Sequence, residues 1–264
     1  MRTATNGSVS LALQAVQGAR PADSLFLGRW DGSAVFAEVR PGDSGPGADT
    51  GDDATDWRHP FDFTTDLPRT EREIMTTALA LGYWHLSHPF SARDGQSTSP
   101  ARGGWVRLDE HGGEHFPRTD PAVIVLVEHA DRVLLGSNVL WETGRFSLLA
   151  GFVEAGESAE QAVVREVFEE AGVRVTDVQY VSSQPWPFPR SLMLGFRARL
   201  VDGADPNDLV PEPEEISELR WFTRDQLRNP AADLLLPGQL SIARWLIDRW
   251  VAEGDSQGSP GGAA

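Results

Sequence analysis

The sequence predicts an α/β sandwich preceded by a small α+β domain, and three observations carry that prediction. Short apolar strand patterns alternate with two helical patterns between residues 122 and 251. Within that stretch, Ser158 followed three residues later by Gln161 forms a capping box, and Gly172 stands where a left-handed turn ends a helix, so residues 159–171 should be helical. Ahead of it, a hairpin pattern and one helical pattern are separated by a segment with almost no apolar residue.

The elements follow in chain order. SLFLGR (24–29) and SAVFAEV (33–39) flank Asp31-Gly32, a turn pair, and read as a β-hairpin. Residues 41–56, PGDSGPGADTGDDATD, read as a flexible loop. Thr70 and Glu73 have capping-box spacing, and Ile74, Met75, Ala78 and Leu79 repeat at helical intervals, predicting a helix over 71–85. Beyond WVRL (105–108), the aliphatic run Ala122–Val127 reads as a buried strand, with a second at 132–135. Residues 146–150 lead into the helix at 159. VTDVQYV (175–181) and SLMLGFRARL (191–200) read as strands around a proline-rich loop, ELRWF (218–222) as another, and 241–251 as a closing helix. A disordered tail is expected over 253–264.

Composition narrows the functions. The net charge of −16 argues against a broad surface for long nucleic acids, while a small phosphorylated ligand meets only local charges. The longest unbroken aliphatic run is too short to span a bilayer, and 9–16 makes a poor secretory signal, so cytoplasmic residence is the expectation. Zero cysteines exclude disulfides and thiolate metal sites.

The segment GFVEAGESAEQAVVREVFEEAGV (151–173) carries the chemistry. On a helix, Glu166, Glu169 and Glu170 share one face, and the expectation is that Val163, Val164, Val167, Phe168 and Ala171 form the opposite, packing face. Three carboxylates so placed repel one another unless a cation sits among them, and hard oxygen ligands suit Mg²⁺ or Mn²⁺. Gly151 and Gly156 are read as freeing the preceding loop to bring Glu157 to the helix, and Arg165 as orienting a carboxylate by a bidentate pair.

Gly151, Glu157, Arg165-Glu166-Val167, Glu169-Glu170 and Gly172-Val173 together form the signature of the Nudix hydrolases. SQPWPFPRSLM (183–193) and HFPRTDPAVI (115–124) resemble, more narrowly, the NADH pyrophosphatase family within them. That resemblance implies a Nudix α/β/α sandwich over 117–252, an N-terminal domain over 1–85 and a degenerate zinc-ribbon linker over 86–116. It further implies a homodimer that hydrolyses NADH or NAD⁺ to nicotinamide mononucleotide and AMP and removes NAD caps from RNA 5′ ends. By the same resemblance, Glu166, Glu169, Glu170 and Glu215 would hold the divalent ions, with Glu214 the neighbouring alternative to Glu215. Phe152, Gln184, Ser191, Met193 and Ala243 would line the nucleotide pocket, and Phe116 and Trp186 would complete the partner subunit's site. A Nudix hydrolase of another nucleoside diphosphate derivative such as ADP-ribose, or a nucleotide-binding regulator, is the competing reading.

One departure stands out. Positions where relatives carry zinc-binding cysteines are Ser91, Asp94, Leu108 and His111; Leu108 cannot be a ligand, and His85, His88, His111 and His115 are scattered. No zinc is expected, and the linker is expected to be held by packing through Trp105 and Phe90.

Overall fold

A computed structural model describes residues 2–3, 9–11, 13–16, 18, 24–39 and 67–257. The loop expected over 41–56 lies outside these residues, as do 258–264 of the expected tail. The chain forms two compact units: Met1–Thr119 with Trp186–Arg190, and Asp120–Pro185 with Ser191–Ala264.

In the first unit, β1 (Arg2–Thr3) pairs with β2 (Val9–Ser10), and β3 (Leu25–Trp30) with β4 (Ser33–Ala37), both antiparallel. The second hairpin turns on Asp31 and Gly32 at φ 48° and 77°, the left-handed pair that a two-residue turn needs to match strand twist. Helix α1 (Arg69–Ser87) packs Leu81 and Trp84 against Leu25. The Thr70–Glu73 capping box does not form. Pro68 is the N-cap, so Thr70 is already helical and lacks the extended backbone that a cap requires, and Glu73 pairs instead with Arg69 at 2.9 Å.

Strands β5 (Ser99–Ala101), β6 (Val106–Leu108) and β7 (Glu114–His115) form a small antiparallel sheet in the linker. Trp105 and Phe90 are 44% and 62% exposed, so neither is packed away as expected, although the Trp105 indole N–H donates to Phe26 O at 2.7 Å. Val106 is buried, and buried polar groups supply the rest of the hold. The Asp109 carboxylate accepts from the amides of His111 (3.0 Å) and Gly113 (2.7 Å), from His115 Nε2 (3.3 Å) and from Arg93 (3.4 Å). The Gly113 amide foremost holds the Asp109 carboxyl below its ordinary range. Arg107 donates to Thr98 Oγ1 and to Thr98 O, both at 2.6 Å, and to His85 Nδ1 at 2.8 Å. His85 Nε2 donates to Gly104 O at 2.8 Å. With Leu108 carrying no donor, Asp109 spent on amides and both His85 nitrogens engaged, these residues do not fit a zinc ion.

The second unit is built on one mixed sheet. Strands β8 (Asp120–His129), β9 (Arg132–Asn138), β10 (Leu149–Phe152), β11 (Val175–Trp186), β12 (Ser191–Leu200) and β13 (Ile216–Thr223) run in the order β11-β12-β8-β9-β13, with β10 also on β8. The β12–β8 pair is parallel, from Ser191↔Asp120 to Arg199↔Glu128, while β9 and β10 pair with β8 antiparallel. Strand β8 has no polar face because both its faces are covered. Val123, Val125 and Val127 pack with helix α2 (Ala159–Ala171), and Ile124 and Leu126 with helix α4 (Ile242–Gln257). A short helix, α3 (Arg224–Arg228), was not visible as a pattern; Thr223 caps it with a box to Gln226.

Two further boundaries differ from expectation. Strand β11 runs on through Gln184-Pro185-Trp186, so the proline-rich loop shrinks to the turn at 187–190. Helix α4 continues to Gln257, past the start of the expected tail, and Glu253 in that extension pairs with Arg197 at 2.6 Å and with Arg249 at 3.1 Å.

Candidate active site

Helix α2 has the predicted ends. Ser158 accepts from the Gln161 amide, the Gln161 side chain accepts from the Ser158 amide, and Gly172 turns left-handed at φ 70°. Its packing face is not the predicted one. Val164 and Phe168 are 41% and 48% exposed, whereas Ala162, Val163, Val167, Glu170 and Ala171 are buried. Glu170 stands seven residues, about two turns, beyond Val163 and so shares its face. Glu166 and Glu170 are therefore pressed against the end of β10, while the Glu169 side chain stays half exposed.

The residues of β10 receive them. An added Cβ at Gly151 would lie 2.0 Å from Glu166 Oε1, so the missing side chain is the space that Glu166 fills. This corrects the expected role of Gly151: it is strand backbone, and only Gly156, at φ 91°, supplies an unusual loop angle. The Ala150 amide donates to Glu170 Oε2 at 3.2 Å.

Arg165 is the cation of the cluster. It donates to both oxygens of Glu157 (2.9 and 2.8 Å), to Phe152 O (2.8 Å) and to Glu169 (2.8 Å), and pairs with Glu166 at 2.8 Å. Glu157 is drawn down by this pair, and the Arg165 guanidinium is held protonated even more firmly than usual, by Glu157 above all. Burial raises Glu166, although Arg165 opposes the rise. Glu170, 7% exposed, is pushed up to about 8, by burial first and then by Glu166.

Glu215 is exposed on the turn before β13, and its charge acts on both Glu166 and Glu170. Sequence reasoning missed what holds it there. Glu212 accepts from the amides of Glu214 (2.6 Å) and Glu215 (3.0 Å), and its own amide donates to Glu170 O at 3.3 Å. The signal was the run PEPEE, in which an acidic side chain two or three residues ahead of others can cap their turn. Among the described residues, no three His, Asp or Glu side chains converge closely enough to hold an ion as they stand. Of Glu166, Glu169, Glu170 and Glu215, Arg165 engages Glu166 and Glu169. Four neighbouring carboxylates, one buried and raised in pKa, nevertheless supply a hard-oxygen donor set that suits a divalent ion.

The expected pocket residues divide by unit. Phe152, Ala122 and Met193 lie in one row across β10, β8 and β12, with Phe152 exposed at the strand end. Met193 and Ala243 pack in one cluster, and Ser191 is buried opposite Asp120. Gln184 is half-buried, with its amide on the backbone around residue 241. Phe116 and Trp186 belong to the first unit. Phe116 is exposed, and Trp186 meets Phe188 edge-on at 5.3 Å beside a cis Phe188-Pro189 bond.

Comparison with known proteins agrees with this geometry. The NUDIX domain pattern matches residues 117–246. A crystal structure of a NUDIX hydrolase from Nitrosomonas europaea superposes with a TM-score of 0.50 at 24% identity, covering 65% of this chain and 94% of that one, which supports the fold. The "NAD-capped RNA hydrolase NudC" of Mycobacterium bovis BCG Pasteur is 45% identical over 88% of this chain and 76% of its own length. The protein of the same name from Stutzerimonas stutzeri is 40% identical over 86% and 76%. At that identity over that length, the chain belongs to the NADH pyrophosphatase, or NudC, family of the Nudix hydrolases, enzymes that generally work with divalent metal ions.

Proposed function

We propose that this chain hydrolyses the diphosphate of NADH or NAD⁺ to NMN(H) and AMP and removes NAD caps from RNA 5′ ends. The observation that carries the reading is the 45% identity to a relative named NAD-capped RNA hydrolase, with every acidic position of the signature intact in this chain.

Glu166, Glu169, Glu170 and Glu215 would hold Mg²⁺ or Mn²⁺ in this reading, and Glu157 fixes Arg165 beside them. When bound, the ions neutralise charge building on the phosphate oxygens and make the attacking water more acidic. Water adds to one phosphorus as the bridging P–O bond breaks, and its proton passes to a carboxylate of this set. Phe152, Ser191, Met193 and Ala243 line the nucleotide pocket. Phe116 and Trp186 complete the site of the partner subunit in a homodimer, and the linker is free of zinc. No helix among the described residues is long and apolar enough to cross a membrane, and we place the enzyme in the cytoplasm with its nucleotide substrates.

The test is a turnover panel of NADH, NAD⁺, NAD-capped RNA, ADP-ribose and diadenosine polyphosphates with product masses recorded. NMN or NMNH together with AMP or 5′-monophosphate RNA is expected. Faster cleavage of ADP-ribose than of all three NAD substrates overturns the proposal.

A further inference from the structure

We propose that Glu212 is a positioning residue for the metal site: its side chain and main chain together set Glu215 beside the end of α2, so that outer and inner carboxylates act as one site. The last four carbonyls of a helix have no partner within it. At the end of α2 two of them are taken up by the segment that leads to Glu215. The Val210 amide donates to Ala171 O at 3.0 Å, and the Glu212 amide to Glu170 O at 3.3 Å. An added Cβ at Gly172 would lie 2.8 Å from Val210 Cβ, so the glycine that ends the helix also makes room for this segment. Glu212 is thus bonded to the backbone of the residue that carries the buried carboxylate.

The rest of Glu212 holds Glu215. Its Oε2 accepts from the amides of Glu214 at 2.6 Å and Glu215 at 3.0 Å, and its carbonyl accepts from those of Glu215 at 3.2 Å and Ile216 at 2.7 Å. The Glu215 carbonyl in turn accepts from the Val139 amide at 2.9 Å, which ties the turn to the end of β9. Glu212, Glu214 and Glu215 carry like charges, and a loose turn would let them swing apart. Bonding one carboxylate to the amides of the other two instead fixes Glu215 where its charge reaches Glu166 and Glu170. Partners that orient a metal ligand in this way are worth on the order of ten- to hundredfold in metal affinity. The inference rests on the reading of Glu215 as an outer metal ligand.

The experiment measures Mn²⁺ binding to the full-length, substrate-free protein from the spin resonance of free Mn²⁺, with melting in chelator as the check on folding. Wild type is compared with Glu212→Ala, Glu212→Gln, Glu215→Gln and the double variant Glu212→Ala/Glu215→Gln. Glu212→Ala should weaken binding about tenfold. Glu212→Met, of similar length and without an acceptor for the amides, serves in its place if the Ala variant folds poorly. Glu212→Gln loses the charge but keeps an acceptor, and should stay within about threefold of wild type. The double variant should bind as Glu215→Gln does, since with that carboxylate gone there is nothing left to position. Losses that add in the double variant would make Glu212 a general support of the fold, and Glu212→Gln as weak as Glu212→Ala would make it a ligand or a bare charge. Either result overturns the inference, as does unchanged binding in Glu212→Ala while Glu215→Gln is weakened. Unchanged binding in Glu215→Gln overturns the reading of Glu215 itself, and the inference with it.

Discussion

At Asp109 in the first unit, two backbone amides, a histidine and an arginine converge on a buried carboxylate and hold its pKa down. At Glu170 in the second, one amide meets a buried carboxylate whose other neighbours include Glu166, Glu169 and Glu215, and its pKa rises to about 8. Both are acidic groups removed from water, yet one is satisfied by the chain itself and the other awaits charge from elsewhere. The difference teaches where a cation is needed. A linker that supplies its own donors holds together without a metal, while a cluster left short of positive charge is a place to bind one.

The largest effect should come from removing the unsatisfied charge. Glu170→Gln keeps the acceptor for the Ala150 amide and Glu169→Gln keeps its size, so each should fold as wild type. Each should lose turnover by about 10³-fold or more, because charge stabilisation of several kcal/mol is lost in the transition state. Near-normal kcat for either at saturating Mg²⁺ would break the comparison at its catalytic end.

Next in size is the partner's contribution. Trp186→Ala should be inactive, and mixed with an inactive Glu170→Gln chain it should regain a fraction of wild-type activity, since one of the two hybrid sites carries neither lesion. Heterodimers confirmed by mass, with both parents inactive and no activity recovered, would place Trp186 in its own subunit's site or core.

At the other end of the comparison, Asp109→Ala should lower the melting temperature on the order of 5 °C, because the amides of His111 and Gly113 lose their acceptor. Added zinc should restore nothing, and elemental analysis of the wild type should find none. One zinc per chain, with chelation lowering the melting temperature, would show that the linker depends on a metal after all.

What the sequence made legible follows the same division. Helix α2 was readable to the residue, because Ser158, Gln161 and Gly172 fix its ends through bonds to near neighbours. Its buried face was not. Periodicity placed Val164 and Phe168 inside and the glutamates outside, since hydropathy assigns acids to water and cannot see a glycine such as Gly151 making room for one. The linker was misjudged for a related reason. Trp105 and Phe90 are large apolar residues there yet stay exposed, and beside Val106 the buried groups include Arg107, Asp109 and, from α1, His85, whose burial depends on partners far along the chain. Gln184 and Glu212 likewise bond to backbone groups that no side-chain pattern announces.

The last test is the sharpest, because the two units should answer pH with opposite signs. In the metal-free protein Glu170 stays protonated up to about 8, whereas the unfolded chain loses that proton near the ordinary value of 4.5. Stability from this group is therefore full below 4.5 and is lost as pH rises toward about 8. His85 runs the other way. Burial, the largest cause, together with Arg107 lowers its pKa, although the hydrogen bond to Gly104 works against them. The fold holds the ring neutral, so its stability is full above the ordinary 6.5 and is lost as pH falls through the lowered value. Melting curves in chelator from pH 5 to 8.5 should show Glu170→Gln gaining on wild type as pH rises, with the gap closing when Mn²⁺ is added. In the same protein the His85 ring resonances should titrate below 6.5. A constant gap across that range would mean that Glu170 is not the carboxylate in want of a cation, and a His85 titrating at or above its ordinary value would mean that the linker does not hold its polar groups as tightly as its hydrogen bonds require.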